Sequence, residues 1–255
     1  MTPDPSLAVL LAQLDKILPP PFAWCEIPAG STRLDDAPNA PGSKHLIERF
    51  YCARFPVTNA QFQVFMQNAT LDMWAFSREA LRWSMRNPLT YDPDAAPDLP
   101  RTQVPWYDAI AFCRWLTKLL RLKPPLQIRL PTEHEWQLAA QGPEKLRYPW
   151  GNAFNPRLCN TVESNPSQPA LVTTFADGES AYNVRGMSGN VQEWCINPRG
   201  ENKGKLATPG PRALRGGSFR RDAAAATTTQ RTFTLPHTTS DDIGFRIVLA
   251  AFYIR

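Results

Sequence analysis

Proline sets the first limit on this chain. Its 26 prolines are scattered from Pro3 to Pro236, and each one removes a backbone donor and fixes a dihedral. A helical bundle or a long regular sheet needs uninterrupted donors, so both are excluded. A loop-rich fold of short elements remains. With 255 residues, the chain can still bury a substantial core without metals or disulfide staples. An apolar fraction of 43% and a charged fraction of 20% exclude general disorder. No run of about 18 apolar residues occurs, so no membrane partner is expected.

The formal charge of +5 is mild. Its positive residues are dispersed except for Arg212, Arg215, Arg220 and Arg221. Without a gathered basic arm, nucleic acid is not the expected partner. Five cysteines (Cys25, Cys52, Cys113, Cys159, Cys195) make an odd set with no C-x-x-C spacing. They read as small buried hydrophobes in a reducing compartment, not as zinc ligands or a disulfide framework. The flank Met1–Ser6 has no positive charge and no cleavage site follows, so a cytoplasmic protein is expected.

Residues 1–21 read as a leader: one amphipathic helix over 6–18, capped by Ser6 and stopped by Pro19–Pro21. Leu7, Leu10, Leu14 and Leu18 either pack on the domain's own sheet or dock an effector partner. Residues 22–255 form the domain, opening at Phe22–Gly30 with a strand that runs into a turn. Capping boxes at Thr58–Gln61 and Thr132–Glu135 predict two helix starts. Apolar spacing predicts a third helix over Tyr107–Leu122. Residues 67–104, broken by prolines, read as a long loop or insertion, and 141–242 show almost no periodicity. Ile243–Phe252 reads as a single buried strand.

Several phrases in this order are specific: Pro56-Val-Thr-Asn-Ala-Gln-Phe, Val104-Pro-Trp-Tyr-Asp-Ala, Arg129-Leu-Pro-Thr-Glu-His-Glu-Trp and Pro149-Trp-Gly-Asn. Gly186-Met-Ser-Gly-Asn-Val-Gln-Glu-Trp, Arg215-Gly-Gly-Ser-Phe and Ile243-Gly-Phe-Arg complete the set. Over about residues 22–250 the chain resembles the formylglycine-generating-enzyme, or sulfatase-modifying-factor, family. The resemblance implies an α+β, C-type-lectin-like fold with short sheets, two to three helices and long loops. Trp136, Trp150 and Trp194 would anchor it.

The resemblance carries expectations about chemistry. Enzymes of the family oxidise a substrate cysteine with a cysteine pair that holds copper, a soft metal suited to thiolates. Arg221 and Ala226 stand at the approximate positions of that pair. Neither side chain binds copper or acts as a thiol, so neither copper nor catalysis is expected, although Ser218 matches the family's serine. An iron site is not expected either, because His45, His134 and His237 share no ligand spacing. The family's calcium sites map onto Asn160 with the carbonyl of Thr161, and onto the carbonyls of Gly189 and Val191 with the carboxylate of Glu193. Gly186 replaces a family Asn or Asp there. Calcium and a metal-free hydrogen-bonded loop both stay open.

Residues 219–242 resemble the variable region of diversity-generating-retroelement target proteins. In those systems adenines are miscopied, mostly in Asn codons, which cannot yield Lys, Glu, Gln, Met or Trp. Of those five types the segment holds only Gln230. The candidate ligand-binding residues are Phe219, Arg220, Arg221, Asp222, Ala224, Ala225, Gln230, Thr232, Phe233, Thr234, His237, Thr238 and Ser240. They would meet a protein or other macromolecular ligand. The expected function is non-catalytic binding through a variable surface. Two alternatives stand beside it: a divergent metal-dependent oxidase, and a sensor or adaptor domain working with a separate effector.

Overall fold

Short elements joined by long loops do make up the computed structural model, which describes residues 12–14, 16–34, 44–90, 94–165, 168–198 and 210–251. The first half supplies β1 (Trp24–Ile27), β2 (Gly30–Thr32), β3 (His45–Ile47), β4 (Phe50–Ala53), α1 (Asn59–Asn68) and α2 (Arg78–Arg86). There follow α3 (Trp106–Leu119), β5 (Leu126–Arg129), α4 (Glu133–Gln141), β6 (Gln192–Pro198), β7 (Arg212–Arg215), β8 (Arg231–Thr234), β9 (Ile243–Gly244) and β10 (Val248–Ala251). Two four-stranded sheets run in the order β1-β4-β10-β5 and β8-β7-β6-β9, with β2 and β3 paired separately. All pairings are antiparallel except β6 with β9. The fold is the expected α+β, C-type-lectin-like arrangement. No helix among the described residues is long and apolar enough to cross a membrane.

Both capping boxes form. The Thr58 hydroxyl accepts from the Gln61 backbone, and Gln61 Oε1 accepts from the Thr58 backbone at 3.1 Å. The Gln61 amide also donates to the carbonyls of Pro19 and Pro21, each at 2.9 Å. That ties the leader to the start of α1. At α4 the Thr132 hydroxyl accepts from the Glu135 backbone at 3.1 Å, and Arg129 grips the Glu135 carboxylate with two bonds of 2.6 Å. Burial opposes ionisation of Glu135, but the guanidinium outweighs it and holds the carboxyl below its ordinary range.

The main core lies between α1, α3 and the strands. Phe62 stacks on Phe112 at 5.8 Å, and Phe112 meets Phe245 edge-on at 5.4 Å. Leu14 and Leu18 are buried in this same core. Residues 12–14 and 16–17 are helical, so the leader helix packs on its own domain there. Each leucine contributes about 1.5–3 kcal/mol by leaving water. Leu7 and Leu10 lie outside the described residues.

Three expectations need correction. The stretch 67–104 is not all loop: it holds a short 3-10 turn at Leu71–Trp74 and helix α2, capped by Ser77 Oγ accepting from Ala80 N at 3.0 Å. Its Arg78, Arg82 and Arg86 line one face and its apolar residues Ala80, Leu81 and Trp83 are few, so the helix is amphipathic but short. Second, Ile243–Phe252 is not one strand. It breaks at Phe245–Ile247, leaving β9 in one sheet and β10 in the other, because Arg246 turns inward to meet a buried carboxylate. Third, Trp136 and Trp194 are buried anchors, but Trp150 is half-buried and stacks on Tyr148 at 5.5 Å.

Candidate functional site

Strand β7 delivers the chain into Gly216-Gly217-Ser218. Both glycines have positive φ, 96° and 67°. A Cβ on Gly217 would lie 2.8 Å from the carbonyl oxygen of Ala225, so only glycine lets the segment fold back this closely. Turns through residue 230 lead to β8, which returns along β7 in the register Arg215↔Arg231 to Arg212↔Thr234.

The frame holds this segment mostly by its main chain. Phe219 N donates to Asn190 O at 3.0 Å, and Val162 N donates to Arg221 O at 3.0 Å. Ala223 N donates to Glu163 Oε1 at 2.7 Å, while Tyr148 Oη donates to Ala223 O at 3.1 Å. Ser188 Oγ donates to Ala226 O at 2.8 Å. The fully buried Arg215 reaches Thr228 O at 2.9 Å and Thr229 O at 3.2 Å, and is itself braced by Gln137 Oε1 at 2.7 Å. Farther on, Trp106 N binds Pro236 O and Gln103 N binds Ser240 O, both at 2.9 Å. Thr228 and Thr232 also bond outward through their side chains, to Leu146 O at 2.7 Å and Gln192 Oε1 at 3.0 Å.

Most candidate contact residues are then left facing outward. Arg220, Arg221, Asp222, Ala224, Gln230, Thr232 and His237 are exposed, and Ala225, Phe233, Thr234, Thr238 and Ser240 are half-buried. Phe219 is the correction. It is buried, because the Gly-Gly-Ser turn and the bond to Asn190 pull its backbone inward; the Arg220 guanidinium lies 4.9 Å from its ring centroid. Arg220 also donates to Asp241 through Nε and Nη2, and that hydrogen bonding lowers the Asp241 carboxyl.

The positions of the family's cysteine pair are filled differently. Arg221 is exposed, whereas Ala226 is buried with its carbonyl taken by Ser188. Ser218 is buried and donates to Asp242 Oδ2 at 2.8 Å, a carboxylate that also accepts from Gln192 and Ser240. No histidine is among its partners. All five cysteines are free and buried. Burial raises the Cys52 thiol to about 12 and the Cys159 thiol to about 11, so neither is a ready thiolate.

The calcium residues do not fit a cation at Glu193. Its Oε2 accepts from Trp136 Nε1 at 2.7 Å and Arg246 Nε at 2.6 Å, and its Oε1 accepts from Arg246 Nη2 at 2.7 Å. Burial pulls the Arg246 guanidinium down and the Glu193 carboxylate more than restores it, so a resident protein cation already neutralises this carboxylate. Asn160 turns its amide nitrogen to Gln168 O and Asn190 Oδ1, both at 3.1 Å, and its carbonyl accepts from Asn190 N at 2.7 Å. Asn160 and Gly189 form a bridge, Thr161 is buried beside them, and Val191 is buried in the loop before β6. These hydrogen bonds occupy the Asn160 amide nitrogen and its main-chain carbonyl. His45 stacks on His134 at 4.1 Å, and His134 Nδ1 bonds Thr32 Oγ1 at 2.8 Å, whereas His237 stands apart on Trp83. Among the described residues, no group of three or more His, Cys, Asp or Glu side chains gathers as a metal site.

Comparison with known proteins adds the following. The model of the sulfatase-modifying factor enzyme 1-like domain matches residues 22–251. A formylglycine-generating enzyme of Thermomonospora curvata is 36% identical over 155 residues, covering 48% of this chain and 45% of that protein. The inactive C-alpha-formylglycine-generating enzyme 2 of Mus musculus is 28% identical over 284 residues, covering 90% and 86%. The chain thus spans less than half of the first relative and most of the second. Among solved structures, Treponema denticola variable protein 1 superposes with a TM-score of 0.69 at 22% identity, covering 89% of this chain and 95% of that one. Its likeness is one of fold.

Proposed function

The chain belongs to the family of sulfatase-modifying factor enzyme 1-like domains, and within it we propose a non-catalytic ligand-binding protein, the target of a diversity-generating retroelement, that displays residues 219–242 to a macromolecular ligand. One observation carries this reading. The frame grips the segment chiefly through backbone groups, so side chains there can change while the loop keeps its course. Arginine in the exposed set is a residue type enriched at binding hot spots. Relatives of both kinds, active and inactive by name, exist in this family. The missing thiols at Arg221 and Ala226 favour the inactive kind.

The test is genomic. A reverse-transcriptase gene beside this one is expected, with a near-repeat of the stretch coding for 219–242 that differs only at adenines. If both are missing, the variable-surface reading falls. The divergent metal-dependent oxidase remains the second reading, favoured by the 36% identity to an enzyme. Stoichiometric copper or iron in the purified protein, lost on chelation together with oxygen consumption, would establish it instead.

A further inference from the structure

Helix α2 borders the displayed segment, and no expectation from the sequence included it. Trp83 on α2 stacks on His237 with ring centroids 6.2 Å apart and an interplanar angle of 28°. Helix α2 and the displayed segment therefore touch at this pair. Arg78, Arg82 and Arg86 are exposed and spaced four apart, which aligns them along one stripe of the helix. None of the three forms an ion pair with a described residue, whereas Arg220 of the displayed segment is committed to Asp241. Met85, 69% exposed, lies in the same stripe, and Leu235, 47% exposed, lies two residues before His237. The Trp83 indole N–H is buried and finds no acceptor among the described residues.

We propose that the recognition surface extends from residues 219–242 onto α2, and that α2 receives an acidic polypeptide; this rests on the binding reading above. Free guanidiniums match carboxylates, which they can hold by two parallel bonds. Exposed Met85 beside them, and exposed Leu235 on the displayed segment, match apolar side chains, and methionine adapts to varied ones. A nucleic-acid backbone offers phosphates for the arginines but nothing for Met85 and Leu235. That mixture of charge and apolar surface selects a protein. The fixed α2 then supplies a constant share of the affinity while the segment supplies the specificity.

The test uses the full chain and three fluorescein-labelled probes in an anisotropy titration: a peptide of alternating Glu and Leu, its Gln–Leu counterpart, and a 20-residue oligothymidylate. The Glu–Leu peptide is expected to bind tighter than both others. The triple variant R78Q/R82Q/R86Q is expected to weaken it about tenfold, the combined worth of three exposed ion pairs. The variant R78K/R82K/R86K should recover part of the loss. An unchanged melting temperature shows that the substitutions act on binding alone. Equal binding of the Glu and Gln peptides, tighter binding of oligothymidylate, or an unaffected triple variant each overturns the proposal. A second variant, R221A/Q230A/T232A, separates the two readings. If it loses binding while the α2 variant keeps it, display by 219–242 stands and the α2 extension falls. If only the α2 variant loses binding, the α2 site stands and display by the segment falls.

Discussion

If the frame holds residues 219–242 by their backbone, several side chains there should be removable together. Consider Arg220, Arg221, Gln230, Thr232 and His237 all changed to alanine. Arg220 loses an ion pair whose partners are 55% and 45% exposed, which solvent screens to little. Thr232 loses one hydrogen bond to Gln192, about 1 kcal/mol. His237 loses its stacking on Trp83, about 0.5 kcal/mol at an exposed site. Arg221 and Gln230 are exposed and contribute within about 0.5 kcal/mol. The whole set should cost about 2 kcal/mol, or roughly 4–8 °C in melting temperature for a chain of this size. The control is a single change, Arg215→Ala. It removes a buried guanidinium from Gln137 and from the carbonyls of Thr228 and Thr229, with an expected cost of about 3–5 kcal/mol. Thermal and denaturant unfolding of both variants decides the matter. A five-site variant less stable than Arg215→Ala would mean that the side chains, not the backbone bonds, hold the loop.

Three further outcomes can be measured. Burial raises the Asp108 carboxyl to about 6, against the opposing hydrogen bond from Trp74 Nε1 at 2.8 Å. Because its folded pKa exceeds the unfolded one, Asp108 costs stability progressively as pH rises from about 4 through 6. Asp108→Asn should therefore unfold at higher urea than the parent at pH 8, by up to about 3 kcal/mol, with that advantage gone below pH 4; a gain independent of pH would contradict this. Arg246→Leu should cost about 3–5 kcal/mol by stranding the Glu193 carboxylate, and adding Glu193→Gln should return part of it in a double-mutant cycle. Replacing chelator with millimolar calcium should move the melting temperature by less than about 1 °C, whereas a saturable rise would restore the calcium expectation.

Local chemistry made much of this fold readable. The boxes at Thr58–Gln61 and Thr132–Glu135 announce α1 and α4, because a cap depends only on residues three apart. Helix α2 was missed because the prolines around it suggested loop, although its Ser77 cap and its arginines spaced four apart are both helical signals. The break at Arg246 was hidden for another reason: an arginine in an apolar run is buried only because Glu193, far earlier in the chain, meets it. Nor could the backbone grip on 219–242 be read, because carbonyls carry no residue signature. Phe219 looked like a contact because its type suits interfaces, and the Gly-Gly turn that buries it acts through dihedrals, not composition.

The placing of β10 between β4 and β5 matters for how the protein is made. The ribosome delivers Phe50–Ala53 and Leu126–Arg129 well before Val248–Ala251, the strand that pairs with both. Until then each has an open edge facing the gap, and β6 still waits for β9. The nascent chain would thus carry unpaired strands from the emergence of β4 until that of β10, the condition that exposes a protein to aggregation and to chaperones. One late nine-residue stretch completes both sheets together, so a premature stop just before it should yield a chain that is degraded, not a smaller folded domain.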